Sequence, residues 1–144
     1  MARLAILCLV IAVVLAATTT AGASPTVRNC GTLTLGPTAR QHGSTSGSLC
    51  FFRAFTQRCT PATYSLMSFG VDTVAADTFA LVRRGSQCRI TVSISFRVVP
   101  ERPQVHRGRC TLLRREHNDV IALGCFGPEI PKTINLNPAN TTPA

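Results

Sequence analysis

Between residues 88 and 99 the chain reads CRITVSISFRVV, and every second residue from Cys88 to Val98 is apolar. Cys88, Ile90, Val92, Ile94, Phe96 and Val98 share one side of an extended strand, while Arg89, Thr91, Ser93, Ser95 and Arg97 take the other. A helix would scatter the same apolar groups around its circumference. Pro100 closes the run, so the pattern predicts a long, half-buried strand that forms the spine of a sheet.

The flanking stretches are patterned more weakly. Residues 78–83 form a second strand candidate, which Gly85-Ser86 joins to the spine as a tight two-residue turn. That register sets Leu81 opposite Ile90 and Phe79 opposite Val92, both on the apolar side. ATYSLMSF at 62–69 has the content of a further strand, and residues 32–35 alternate briefly as an edge strand. LCFFRAFTQRC at 49–59 places Phe52, Phe55 and Cys59 at helical spacing after Ser48 as a cap, and Thr60-Pro61 stops it. A short amphipathic helix is expected there, with a buried strand as the alternative. Its nine-residue rise of about 13 Å keeps Cys50 and Cys59 from bonding to each other.

Residues 36–48, 70–77 and 100–108 read as connections. A second hairpin spans 109–126 and folds at His117-Asn118, so that Leu112 faces Leu123 and Cys110 faces Cys125. Residues 127–144 hold four prolines and three asparagines, which predicts a flexible C-terminal tail. The resulting architecture is α+β, one short helix packed on an antiparallel sheet of about five strands. An all-β sandwich is the alternative.

The amino terminus changes the compartment. Arg3, an apolar run and Ala21-Gly22-Ala23 describe a signal peptide at 1–23 cleaved before Ser24, with an uncleaved anchor as the alternative. Residues 24–126 then form a single disulfide-rich domain, and a secreted location is expected. Six cysteines lie beyond the cut: Cys30, Cys50, Cys59, Cys88, Cys110 and Cys125. An even number in an exported chain predicts disulfides, with Cys110–Cys125 the favoured pair by direct opposition. Metal binding fits poorly, because there is no CxxC pair and His42, His106 and His117 stand at no ligand spacing from the cysteines.

Cleavage lowers the formal charge from +9 to +8, carried by thirteen arginines and Lys132 against six acids. Those acids, Asp72, Asp77, Glu101, Glu116, Asp119 and Glu129, give no inward-pointing pair for acid–base work. No nucleophile elbow, glycine-rich phosphate loop or HExxH motif occurs, and no cofactor is implied. The segments CFFRAFTQRCTPATYSLMSFGVDT and CRITVSI, with Cys110 and Cys125 after them, resemble small exported bacterial proteins of no assigned function. The resemblance covers roughly residues 50–125; it implies export and a cysteine framework, and it supplies no active residues.

Three functions are consistent with these features. The first is a secreted, non-enzymatic binding or inhibitory module that presents 70–77 and 100–108 to an extracellular protein. The second is a small basic nuclease, with His106 and His117 as acid and base beside Arg107 or Arg115. The third is a polyanion-binding protein using Arg83, Arg84, Arg89, Arg97, Arg114 and Arg115, with Arg107 and Arg109 near them.

Overall fold

A computed structural model of the protein describes residues 26–36, 41–42 and 46–138. The expected signal peptide lies outside these residues, as does the end of the expected tail at 139–144. The predicted spine is β5 (Gln87–Val98), flanked by β4 (Thr73–Arg84) and β6 (Gln104–Cys110). β4 and β5 join through Gly85 and Ser86, and Gly85 supplies the left-handed φ of 61° that the tight turn needs. The register is the expected one, with Leu81 facing Ile90 and Phe79 facing Val92. β3 (Ala62–Phe69) lies antiparallel on the far side of β4.

The sheet is mixed, which corrects the expected all-antiparallel arrangement. β1 (Arg28–Leu35) pairs in parallel with β3 and antiparallel with the two-residue β2 (Gln41–His42), giving the order β2-β1-β3-β4-β5-β6. Parallel neighbours need a long crossover, and α1 (Ser46–Thr56) provides it between β1 and β3. The helix also starts earlier than expected and turns a different face inward. Phe51 and Ala54 are fully buried, whereas Phe52 and Phe55 are only half-buried. Gly47 sets that rotation, because a Cβ there would meet the Cys30 carbonyl at 2.6 Å.

The connections are shorter than the sequence suggests. Residues 73–77 extend β4 and pair with 94–98 of β5, and 74–77 pair on the other side with 66–69 of β3. Ala75 and Ala76 are too small to leave an apolar period, yet their backbone groups are drawn into the ladder between two strands. Residues 104–108 belong to β6, an edge strand whose mixed QVHRGRC carries no strand signature.

A second sheet holds β7 (Leu112–Glu116), β8 (Asp119–Leu123) and β9 (Thr133–Asn135). β7 and β8 form the expected hairpin with Leu112 facing Leu123 and His117 at a left-handed φ of 53°. β9 overturns the flexible tail over residues 127–138. It pairs with β8, Leu136 is fully buried, and the Tyr64 hydroxyl donates a 2.8 Å hydrogen bond to the Leu136 carbonyl. Three apolar residues, Ile130, Ile134 and Leu136, suffice to dock a proline-rich segment where a core is waiting.

Phe51, Tyr64 and Phe79 form the centre of that core, with ring centroids 6.2–6.4 Å apart. Three disulfides pin its margins. Cys30–Cys50 ties β1 to α1, Cys59–Cys88 ties the connection after α1 to β5, and Cys110–Cys125, the expected pair, ties the end of β6 to the residues after β8. Closing loops of 15 to 29 residues contributes about 3–4 kcal/mol each in the chain-entropy model.

Candidate anion-binding surface

The alternation of β5 determines the two sides of the large sheet. Ile90 and Val92 point into the core, so Arg89, Thr91, Ser93, Ser95 and Arg97 point away from it. The β5–β6 register brings Arg109 opposite Thr91 and Arg107 opposite Ser93, on the same outward side. Arg84 joins them at the tip of the β4–β5 hairpin, two residues beyond Val82, which faces Arg89. This side also carries Thr63, Ser65, Met67 and Phe69 from β3, Val74, Ala76, Thr78, Ala80 and Val82 from β4 and Val105 from β6, so the arginines are interleaved with small, hydroxyl and exposed apolar groups. None of the outward residues of β3 to β6 is buried, and none is acidic.

The arginines there have no carboxylate partner. Among the described residues, the ion pairs are His106 with Glu129 and Arg114 with Glu116. The charge of Arg84, Arg89, Arg97, Arg107 and Arg109 is therefore left to solvent and to whatever approaches the sheet. At one end of the side, Arg89 and Arg109 converge with Thr111 and Phe126 on a groove of about 260 Å³. The Arg109 guanidinium sits 4.8 Å above the Phe126 ring, which is itself 48% exposed. The backbones of Arg109 and Phe126 are mutually hydrogen-bonded, which holds that stack in place.

The structure sorts the arginines named from sequence. Arg84, Arg89 and Arg97 share the outward side. Arg83 faces Cys88 and so lies on the opposite side, where its Nε donates to the Gly85 carbonyl. Arg114 and Arg115 belong to the second sheet: Arg114 pairs with Glu116, and Arg115 Nε donates to the His117 carbonyl. Arg107 and Arg109 are placed by β6, a strand the sequence pattern does not reveal. Arg58 has no sequence signal of any kind, because it depends on a left-handed turn at Arg58 and Cys59 with φ of 56° and 53°.

The histidines do not form the acid–base pair a nuclease would need. His117 sits at the β7–β8 turn in one sheet, while His106 sits on β6 in the other. His106 Nε2 instead lies 3.1 Å from Glu129 Oε2. Asp77 is on the same inward side of the sheet, two strands away across Ile94, and burial pushes its carboxyl above the usual range. No group of three or more metal-ligating side chains occurs among the described residues. The two loops proposed for partner contact shrink to residues 70–72 and 100–103, because the strands absorb the rest.

No helix among the described residues is long and apolar enough to cross a membrane. Comparison with family models, with curated proteins and with solved structures finds no match for the chain.

Proposed function

We propose that this protein is a secreted, non-enzymatic binding module that holds an anionic polymer against the outward side of β4, β5 and β6. The observation that carries the reading is the set of five arginines on one open sheet side with no acid among them. Length favours a polymer over a small anion. Arg89 and Arg97 are eight residues apart on one strand, a span of about 27 Å. Threonine and serine hydroxyls between them add neutral hydrogen-bonding groups along the same track. The exposed rings of this side, Phe126 at one end and Phe69 out on β3, form no row along the strand that carries Arg89 and Arg97, which argues against a stacking-based reader of nucleic-acid bases. Export is supported by the order of charge, apolar run and small residues at 1–23, and by the three disulfides.

The test is retention on immobilised heparin as a function of salt. Each arginine that displaces a counterion contributes about one unit to the log–log salt slope. Arg97→Ser plus Arg107→Ser should lower the slope by about two units, while Arg114→Ser plus Arg115→Ser, with the same charge loss on the other sheet, should leave most of it. Equal losses in the two double variants would show that net charge alone explains retention.

A further inference from the structure

The three disulfides differ in their surroundings. Cys110 and Cys125 are both buried, and the neighbours of Cys30 and Cys50 in the chain are Asn29, Gly31, Leu49 and Phe51, none of them charged. Cys59 and Cys88 stand apart. Cys59 lines an open cleft of about 600 Å³ together with Arg58, Thr60 and Arg83. Both cysteines line a second cleft of about 390 Å³, again with Arg58 and Arg83. Cys88 and Cys110 both border the Arg89–Arg109 groove, but Cys110 is buried there and Cys88 is only half-buried.

Positive charge is concentrated on this bond by both chain and register. Arg58 precedes Cys59 and Arg83 faces Cys88 across the β4–β5 pair, while Arg89 follows Cys88 on the other side of the strand. None of the three has a carboxylate partner among the described residues. The last carbonyls of α1 are engaged by hydrogen bonds. Those of Arg53, Ala54 and Thr56 accept from the backbone N–H groups of Gln57, Thr60 and Arg58, and Thr56 Oγ1 donates to the Phe52 carbonyl.

We infer that Cys59–Cys88 is a thiol-exchange site, opened selectively by a small anionic thiol that enters these arginine-lined clefts. The thiolate sulfur forms a new S–S bond with Sγ of Cys88, the less buried partner, as the Cys59–Cys88 bond breaks. The electron pair of the broken bond leaves on Cys59 as a thiolate beside Arg58. A second small thiolate then attacks its own kind in the mixed disulfide, releasing the small-molecule disulfide and a Cys88 thiolate. Two small thiols are oxidised and one protein disulfide is reduced. Nearby guanidinium groups favour this course twice, by attracting the anionic thiol and by lowering the basicity of the leaving thiolate. Opening this bond releases the connection after α1 from β5, while Cys30–Cys50 still holds the helix to β1.

The oxidised protein is treated separately with glutathione, an anionic thiol, and cysteamine, a cationic one, at equal thiolate concentration and low salt. Samples are quenched in acid, alkylated and mapped as peptides. Cys59–Cys88 should open first, with the glutathione adduct on Cys88 and faster reaction by glutathione than by cysteamine. Arg58→Gln plus Arg83→Gln should slow glutathione by about tenfold, the lower end of what charge steering supplies, and bring the two thiols level. Arg83→Gln alone, at an exposed strand end, gives the same direction of change if the double variant fails to fold. The inference is overturned if either other disulfide opens first, or if thiol charge makes no difference in the unmutated protein.

Discussion

Tyr64 offers a direct test of how residues 133–137 are held. It is 1% exposed, its ring packs against Phe51 and Phe79, and its hydroxyl donates to the carbonyl of fully buried Leu136. Tyr64→Phe keeps the ring and removes only the donor. The Leu136 carbonyl then stays buried without that donor, which costs about 1–3 kcal/mol. With unfolding entropy near 2 cal/mol/K per residue, each kcal/mol is about 4 °C in a domain of this size, so Tm should fall by about 4–12 °C. Urea unfolding with the disulfides intact should show a lower midpoint at unchanged m. A loss below about 0.3 kcal/mol would refute the clasp between β3 and the segment after β8.

The same hydroxyl can be watched without mutation, because Tyr64 is the sole tyrosine. Burial pushes its pKa up to about 12 from an ordinary 10.0. A group whose folded pKa is raised contributes stability that is fully present below its unfolded pKa and is lost as pH rises through the folded one. Stability from Tyr64 should therefore decline between pH 10 and about 12. Absorbance at the phenolate band should titrate near 12 in the native protein and near 10 in denaturant; a native midpoint at 10 would contradict the burial.

Further outcomes follow from particular contacts. Asp77 is held above the usual carboxyl range by burial, so its contribution is present below the unfolded pKa and lost as pH rises through the folded one. Asp77→Asn should accordingly raise Tm at pH 7, with the gain shrinking as the pH is lowered into the carboxyl range; an unchanged difference across that range would contradict this. Gly108→Ala places a Cβ 2.5 Å from the Phe126 carbonyl and 2.8 Å from Ile130 Cγ1, and chemical denaturation should register a loss of about 1–3 kcal/mol. Leu136→Ala should cost about 2–5 kcal/mol as a core truncation; a surface-like cost under about 0.5 kcal/mol would restore the flexible-tail reading. Non-reducing peptide mapping should recover Cys30 with Cys50, Cys59 with Cys88 and Cys110 with Cys125, and no free thiol among them.

The candidate surface was half legible in sequence. Alternation along β5 places Arg89 and Arg97 on one side without any coordinates, because the strand period forces it. Arg107 and Arg109 are different: the inward positions of β6 before Cys110 are His106 and Gly108, so its alternation of burial leaves no apolar pattern in the sequence. The separation of Arg114 and Arg115 from the others depends on the chain leaving one sheet at Cys110 and entering the next at Leu112. Nothing in the composition of RCTLLRRE marks that change of sheet.

By itself the sequence determined the long spine, its hairpin with β4 and the registers at Phe79, Leu81 and Leu112, since each depends on local period and turn chemistry. Opposition within one hairpin likewise made Cys110–Cys125 readable. Only the tertiary structure decided the parallel pairing of β1 with β3, the inward face of α1, the docking of residues 127–138 and the other two disulfides. These are contacts between segments remote in the chain, where weak local preference yields to whatever buries the most apolar surface and pairs the most backbone groups.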